Sequence, residues 1–69
     1  MKRTALIKKI RTAASRAGVE VALTEGGNHS VLRCGTARTV IPRHREINEL
    51  TTEAICKQLE STLGKRWWR

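Results

Sequence analysis

His29 follows Gly26-Gly27-Asn28 directly and opens the stretch His29-Ser30-Val31-Leu32-Arg33-Cys34. An imidazole beside a turn without bulky side chains can meet a large charged ligand. It exchanges protons near neutral pH, so it suits general acid or base chemistry. The plainer reading is a polar residue that opens a strand, and position alone does not separate the two. By strand alternation His29, Val31 and Arg33 share one face, and Ser30, Leu32 and Cys34 share the other. His44 is the second histidine, in Pro42-Arg43-His44-Arg45. The two cysteines, Cys34 and Cys56, have no metal-type spacing to each other or to a histidine. They read as small buried hydrophobes, with no metal site and no disulfide framework.

The elements around these residues follow from periodicity. Residues 4 to 17 read as a helix with Thr4 as N-cap. Leu6, Ile10, Ala13, Ala14 and Ala17 lie on one face, and Gly18 sits at C′. Residues 19 to 23 read as a strand with Val19, Val21 and Leu23 on one side. Glu25-Gly26-Gly27-Asn28 reads as a hairpin turn in which the glycines and Asn28 supply positive φ. Residues 29 to 34 form a second strand, Gly35-Thr36 a tight turn, and residues 38 to 41 a third strand ending at Pro42. A polar loop runs to Leu50. A helix over residues 52 to 63, capped by Thr51 or Thr52, carries Ile55, Cys56, Leu59 and Leu63 inward. Glu53 and Lys57 pair along its surface.

This order is α-β-β-β-α, an α+β fold in which a three-stranded antiparallel sheet has two helices on one face. The other face stays open. Double-stranded-RNA-binding domains share the element order. Residues 1–64 form one domain, and residues 65–69 form a basic tail with Trp67 and Trp68, read first as docking on the body.

The chain has 69 residues, with 14 Lys and Arg against six acidic residues, all Glu, for a formal net charge of +8. A domain of this size buries only ~60% of the surface its unfolded chain exposes, which leaves no room for an extended cofactor pocket. The charge implies a polyanionic partner, with nucleic acid first. The basic start lacks the apolar run of a signal peptide, and no stretch has membrane-spanning length. These features point to the cytoplasm and away from a membrane partner.

Three strings carry a family resemblance: Gly26-Gly27-Asn28-His29, then Val40-Ile41-Pro42-Arg43-His44, then Glu46-Ile47. In this order, behind a leading helix and before a closing one, they resemble the HicA (YcfA-like) toxins of bacterial and archaeal toxin–antitoxin pairs. The likeness runs from about residue 5 to 63. Many members carry an aromatic residue near the Gly18–Val19 junction and Ser where Gly27 stands here. The resemblance implies a fold like that of double-stranded-RNA-binding domains and an endoribonuclease that cleaves mRNA without a metal or other cofactor. It implies that His29 is catalytic and that a HicB-type antitoxin covers it.

RNA supplies its own nucleophile, the 2′-OH, so the enzyme must move protons and stabilise the phosphorane. Arg33 is the first candidate for the cation because it shares the His29 face. Lys8 and Lys9 qualify if the first helix lies near the turn. Gly26, Gly27 and Asn28 offer backbone amides to a phosphate. Arg43 and Arg45 suit phosphate or an acidic patch on the antitoxin. His44 reads first as a loop-orienting residue. A non-catalytic RNA-binding module is the alternative.

Overall fold

Alternation between Val21 and Pro42 sets the sheet, because successive residues of each strand turn to opposite faces, one on the core side and one more exposed. A computed structural model of residues 1–69 places the elements in the order α1 (Arg3–Ala17), β1 (Val21–Glu25), β2 (His29–Cys34), β3 (Ala37–Pro42), α2 (Glu49–Gln58) and the single turn α3 (Glu60–Leu63). The strands form one antiparallel sheet in the order β1-β2-β3. The class is therefore α+β with the order α-β-β-β-α.

The register separates two faces. On the inner face Leu23 lies opposite Leu32 and Leu32 opposite Thr39, while Ser30 lies between Glu25 and Ile41. Leu6, Ile10 and Ala14 of α1, Ile47, and Ile55, Cys56 and Leu59 around α2 close over it. Both helices thus cover the same side. On the outer face Ala22, Arg33 and Arg38 form one row, Thr24, Val31 and Val40 the next, and His29 lies opposite Pro42. No buried side-chain polar atom lacks a partner: Thr39 pairs with Gln58, and Ser30 joins the network described below.

Several boundaries differ from the sequence expectation. β1 begins at Val21, not Val19, because Val19 finishes the preceding helix. Its N–H donates to the Ala14 carbonyl and that of Gly18 to Ser15, with Gly18 at φ 70°, a Schellman motif. Thr4 is not the N-cap. α1 starts at Arg3 because residues 1–3 pair with residues 45–47: Arg3 N–H donates to the Arg45 carbonyl and Ile47 N–H to that of Met1. α2 starts at Glu49, not 52, because the Asn48 side chain accepts the Thr51 N–H at 2.8 Å. The closing helix does not run unbroken to residue 63, since Leu59 leaves helical geometry and α3 follows. β3 is longer by one residue at each end.

The C-terminal residues do not trail. The Trp67 indole N–H donates to the Cys56 carbonyl at 2.8 Å, and Trp67 and Trp68 pack at the rim of the core. Cys34 and Cys56 are buried and unbridged. No helix is long and apolar enough to cross a membrane.

Candidate active site

The β1–β2 turn is held by one short backbone contact. Gly26 N–H donates to the His29 carbonyl at 3.0 Å. A Cβ at Gly26 would lie 2.6 Å from that oxygen, so only glycine fits. Positive φ, the expected reason for these glycines, is absent from Gly26, Gly27 and Asn28 alike. With its N–H committed to His29, Gly26 is not free to hold a phosphate. Gly27 has open space around it, and both Gly27 and Asn28 are exposed.

His29 is exposed as the first residue of β2, on the outer face with Val31 and Arg33. Across from it the β2–β3 ladder continues past Pro42, as Arg43 N–H donates to the Asn28 carbonyl at 3.2 Å. Arg43 then turns its side chain to the helix side of the tip. There Nη1 donates to the Gly26 carbonyl at 2.7 Å, and Nε lies 3.7 Å from Glu25 Oε1. Arg3, from the first turn of α1, completes this cluster. Its Nη2 donates to Ser30 Oγ at 2.7 Å and lies 3.4 Å from Glu25 Oε1, and its Nε donates to the Pro42 carbonyl at 3.1 Å. The Ser30 hydroxyl donates to Glu25 Oε1. That hydrogen bond chiefly, helped by Arg43 and Arg3 against some desolvation, holds the Glu25 carboxyl below its ordinary pKa. The hairpin tip is thus clamped on the helix side and bears His29 on the other.

The remaining candidates scatter. Arg33 shares the His29 face but stands four residues along the strand, about 13 Å away at about 3.3 Å per residue. Directly opposite Arg33 is Arg38, also exposed. Lys8 and Lys9 do not reach the turn. Lys8 lies with Arg11 and Arg16 on the outward surface of α1, and Lys9 lines a groove with Glu53, Cys56 and Trp68. The α1 residue at the tip is Arg3. Arg45 and His44 are exposed and line a polar cleft with Lys2, Arg3, Thr4 and Arg43. His44 therefore faces the cleft and makes no hydrogen bond that orients its loop. No group of three His, Cys, Asp or Glu side chains comes together as a metal-binding cluster.

No family model, curated protein or solved structure matches this chain. The functional reading therefore rests on the residues themselves.

Arg3, Glu25, Ser30 and Arg38 are the residues that sequence reasoning missed. Ser30 carried a usable signal: a hydroxyl on the inner face of a strand must find a partner there. Arg3 carried none, because it stood just outside the expected helix. Arg38 becomes legible only once the β2–β3 register sets it against Arg33.

Proposed function

We propose that this protein is a metal-independent endoribonuclease that cleaves mRNA, the toxin half of a toxin–antitoxin pair of the HicA type, acting in the cytoplasm. The observation that carries the reading is His29. It presents a solvent-facing imidazole from a backbone that is tied, through the His29 carbonyl, to a glycine turn, on a sheet face whose residues are exposed or half-buried. The likeness of Gly26-Gly27-Asn28-His29 and Pro42-Arg43-His44 to HicA toxins supports the same reading, as does the fold, which has the element order of double-stranded-RNA-binding domains. So does the Arg33–Arg38 pair. Like charges directly opposite on a sheet repel, and a bound polyanion relieves that repulsion.

In the proposed step the substrate 2′-oxygen forms a bond to the adjacent phosphorus while the bond from phosphorus to the 5′-oxygen breaks. The products are a 2′,3′-cyclic phosphate and a 5′-hydroxyl. One proton leaves the 2′-OH and one reaches the 5′-oxygen, and His29 handles one of these transfers. In this reading the exposed Gly27 and Asn28 meet the phosphate, and Arg33 and Arg38, about 13 Å along the sheet at about 3.3 Å per residue, hold a phosphate further along the strand. An acidic-patched antitoxin of the HicB type would silence the site by covering the tip and the outer face.

One observation favours a second reading, an RNA-binding module without catalysis. The titratable side chain nearest in sequence to the tip, Glu25, is engaged on the opposite side by Ser30, Arg3 and Arg43. His29 therefore lacks an evident second proton-transfer partner. Incubating a structured mRNA with wild type and His29→Ala in EDTA decides between them. Cleavage by wild type alone supports the nuclease, whereas binding by both without cleavage supports the module.

A further inference from the structure

The start of α1 and the segment after β3 enclose a cleft that has no part in the reading above. Its volume is about 370 Å³, and its lining is Lys2, Arg3, Thr4, Arg43, His44 and Arg45, with no apolar side chain. Its two walls, residues 2–4 and residues 43–45, are remote in sequence, yet they are locked together. The Arg3 N–H donates to the Arg45 carbonyl at 2.9 Å, and Lys2 bridges to Glu46 through the backbone. The cleft is therefore formed in advance of any ligand.

Its charge is not cancelled from within. Glu25 engages Arg3 and Arg43, but Lys2 and Arg45 pair with no carboxylate. The adjoining Glu46 is exposed and lies 3.6 Å from the Met1 amino group. The first turn of α1 adds no acidic residue and no side-chain cap. The N–H of Thr4, which lines the cleft, has no acceptor within the protein. A site with cationic side chains, open N–H donors and no apolar wall suits a tetrahedral oxyanion and not a base or an apolar side chain.

Arg43 connects this cleft to the hairpin tip, since the residue that lines the cleft also donates to the Gly26 carbonyl. We infer that the cleft is a second phosphate subsite, which holds a phosphodiester of the same RNA strand that presents its scissile bond to His29. His29 lies on the outer face and the cleft on the helix side, so the strand passes over the end of the sheet between them. A flexible single strand makes that bend and a duplex does not. The inference rests on the proposed RNA-cleaving role, but its test can be read apart from cleavage.

The probes are inorganic phosphate and a 2′-O-methyl RNA oligonucleotide, which binds but offers no 2′-OH. Phosphate titrated into the wild-type protein should shift the backbone amide resonances of Thr4 and His44, which line the cleft, and the shifts should vanish in Lys2→Ala/Arg45→Ala. The same double variant should bind the oligonucleotide about tenfold more weakly, the size of one lost charge-assisted contact. Its plot of log affinity against log salt should be shallower by about 0.7, the value for one phosphate of a single strand. Lys2→Gln/Arg45→Gln should reproduce both changes, and an unaltered melting temperature in either variant excludes a folding defect. Absent amide shifts, or shifts and a salt slope that persist in both variants, overturn the inference. If wild type cuts no RNA but these changes occur, the subsite stands and the nuclease reading falls. If His29→Ala alone abolishes cutting and the cleft variants change nothing, the reverse holds.

Discussion

The Arg43 guanidinium donates to the Gly26 carbonyl at 2.7 Å, which ties the segment after the third strand to the turn between the first two. Through this bond the two loops at one end of the sheet act as a single structure, and His29 stands at its edge.

The sharpest expectation concerns His29 itself. His29→Ala should lower RNA cleavage by about 10²–10⁴-fold, the range for loss of one general acid or base. The affinity for 2′-O-methyl RNA should stay within about twofold of wild type. Single-turnover cleavage in EDTA together with a binding isotherm checks both. Equal cleavage by variant and wild type removes His29 from the chemistry.

The two glycines of the turn should respond differently. Gly26→Ala forces a Cβ to within 2.6 Å of the His29 carbonyl, whereas Gly27→Ala meets nothing within 4 Å. Overpacking of this kind costs about 1–3 kcal/mol. Thermal denaturation should show a melting temperature lower by roughly 4–8 °C per kcal/mol for Gly26→Ala, with Gly27→Ala close to wild type. A similar loss in both variants would mean that the turn depends on backbone freedom and not on close approach.

Arg3→Ala leaves the Pro42 carbonyl without its donor and Ser30 without one of its partners. Ser30 is fully buried. An unpaired buried group costs about 1–3 kcal/mol, and chemical denaturation should show a loss of that size. Arg3→Lys should not restore stability, because one ammonium cannot reproduce the three contacts of the guanidinium fork.

Glu25 gives the cluster a pH dependence. Its folded carboxyl is held below the ordinary glutamate pKa, first by the Ser30 hydroxyl. The ionised cluster therefore adds stability above the ordinary glutamate value, and that stability is lost as pH falls through the lowered one. Glu25→Gln should flatten the acid limb of a stability–pH curve. Superimposable acid limbs would show that Glu25 does not couple to folding.

Burial raises the Cys56 thiol pKa, against a lowering by Lys9 and alongside a smaller rise from Glu53. The thiolate is the reactive form, so Cys56 should resist alkylation at neutral pH. Trp67→Ala removes the indole that donates to the Cys56 carbonyl and should speed the reaction. Mass spectrometry of the labelled protein reads the difference, and an unchanged rate would mean that the tail does not shield the thiol.

What the sequence discloses about this fold is what alternation and local turns control. The bounds of the strand from His29 to Cys34 follow from period two, and the outward placement of His29 and Arg33 follows with them. Gly18 ends the first helix as expected, but the Val19 N–H is drawn into the cap. Periodicity cannot show that. The helix-side half of the site was hidden because its partners are remote. Arg3 meets Ser30 across 27 residues and Pro42 across 39. The choice of Asn48 over Thr51 or Thr52 as cap was hidden for another reason: all three residue types are competent caps, and in the structure Asn48 accepts the Thr51 N–H while the Thr52 hydroxyl donates to the Ile47 carbonyl.

The pairing of residues 1–3 with residues 45–47 also separates the molecule into local and remote contacts. The three strands are joined by short turns, so the sheet can form from near neighbours at little entropic cost. The contacts of Arg3 and Lys2 close far larger loops, at a greater entropic cost. Partial opening should follow the same division. Release of the first turn of α1 would dissolve the cleft and take Arg3 from Glu25, while Ser30 and Arg43 keep their hold on it and β1, β2 and β3 remain paired. Amide hydrogen exchange at Arg3 and Ile47 would then outpace that at Leu32.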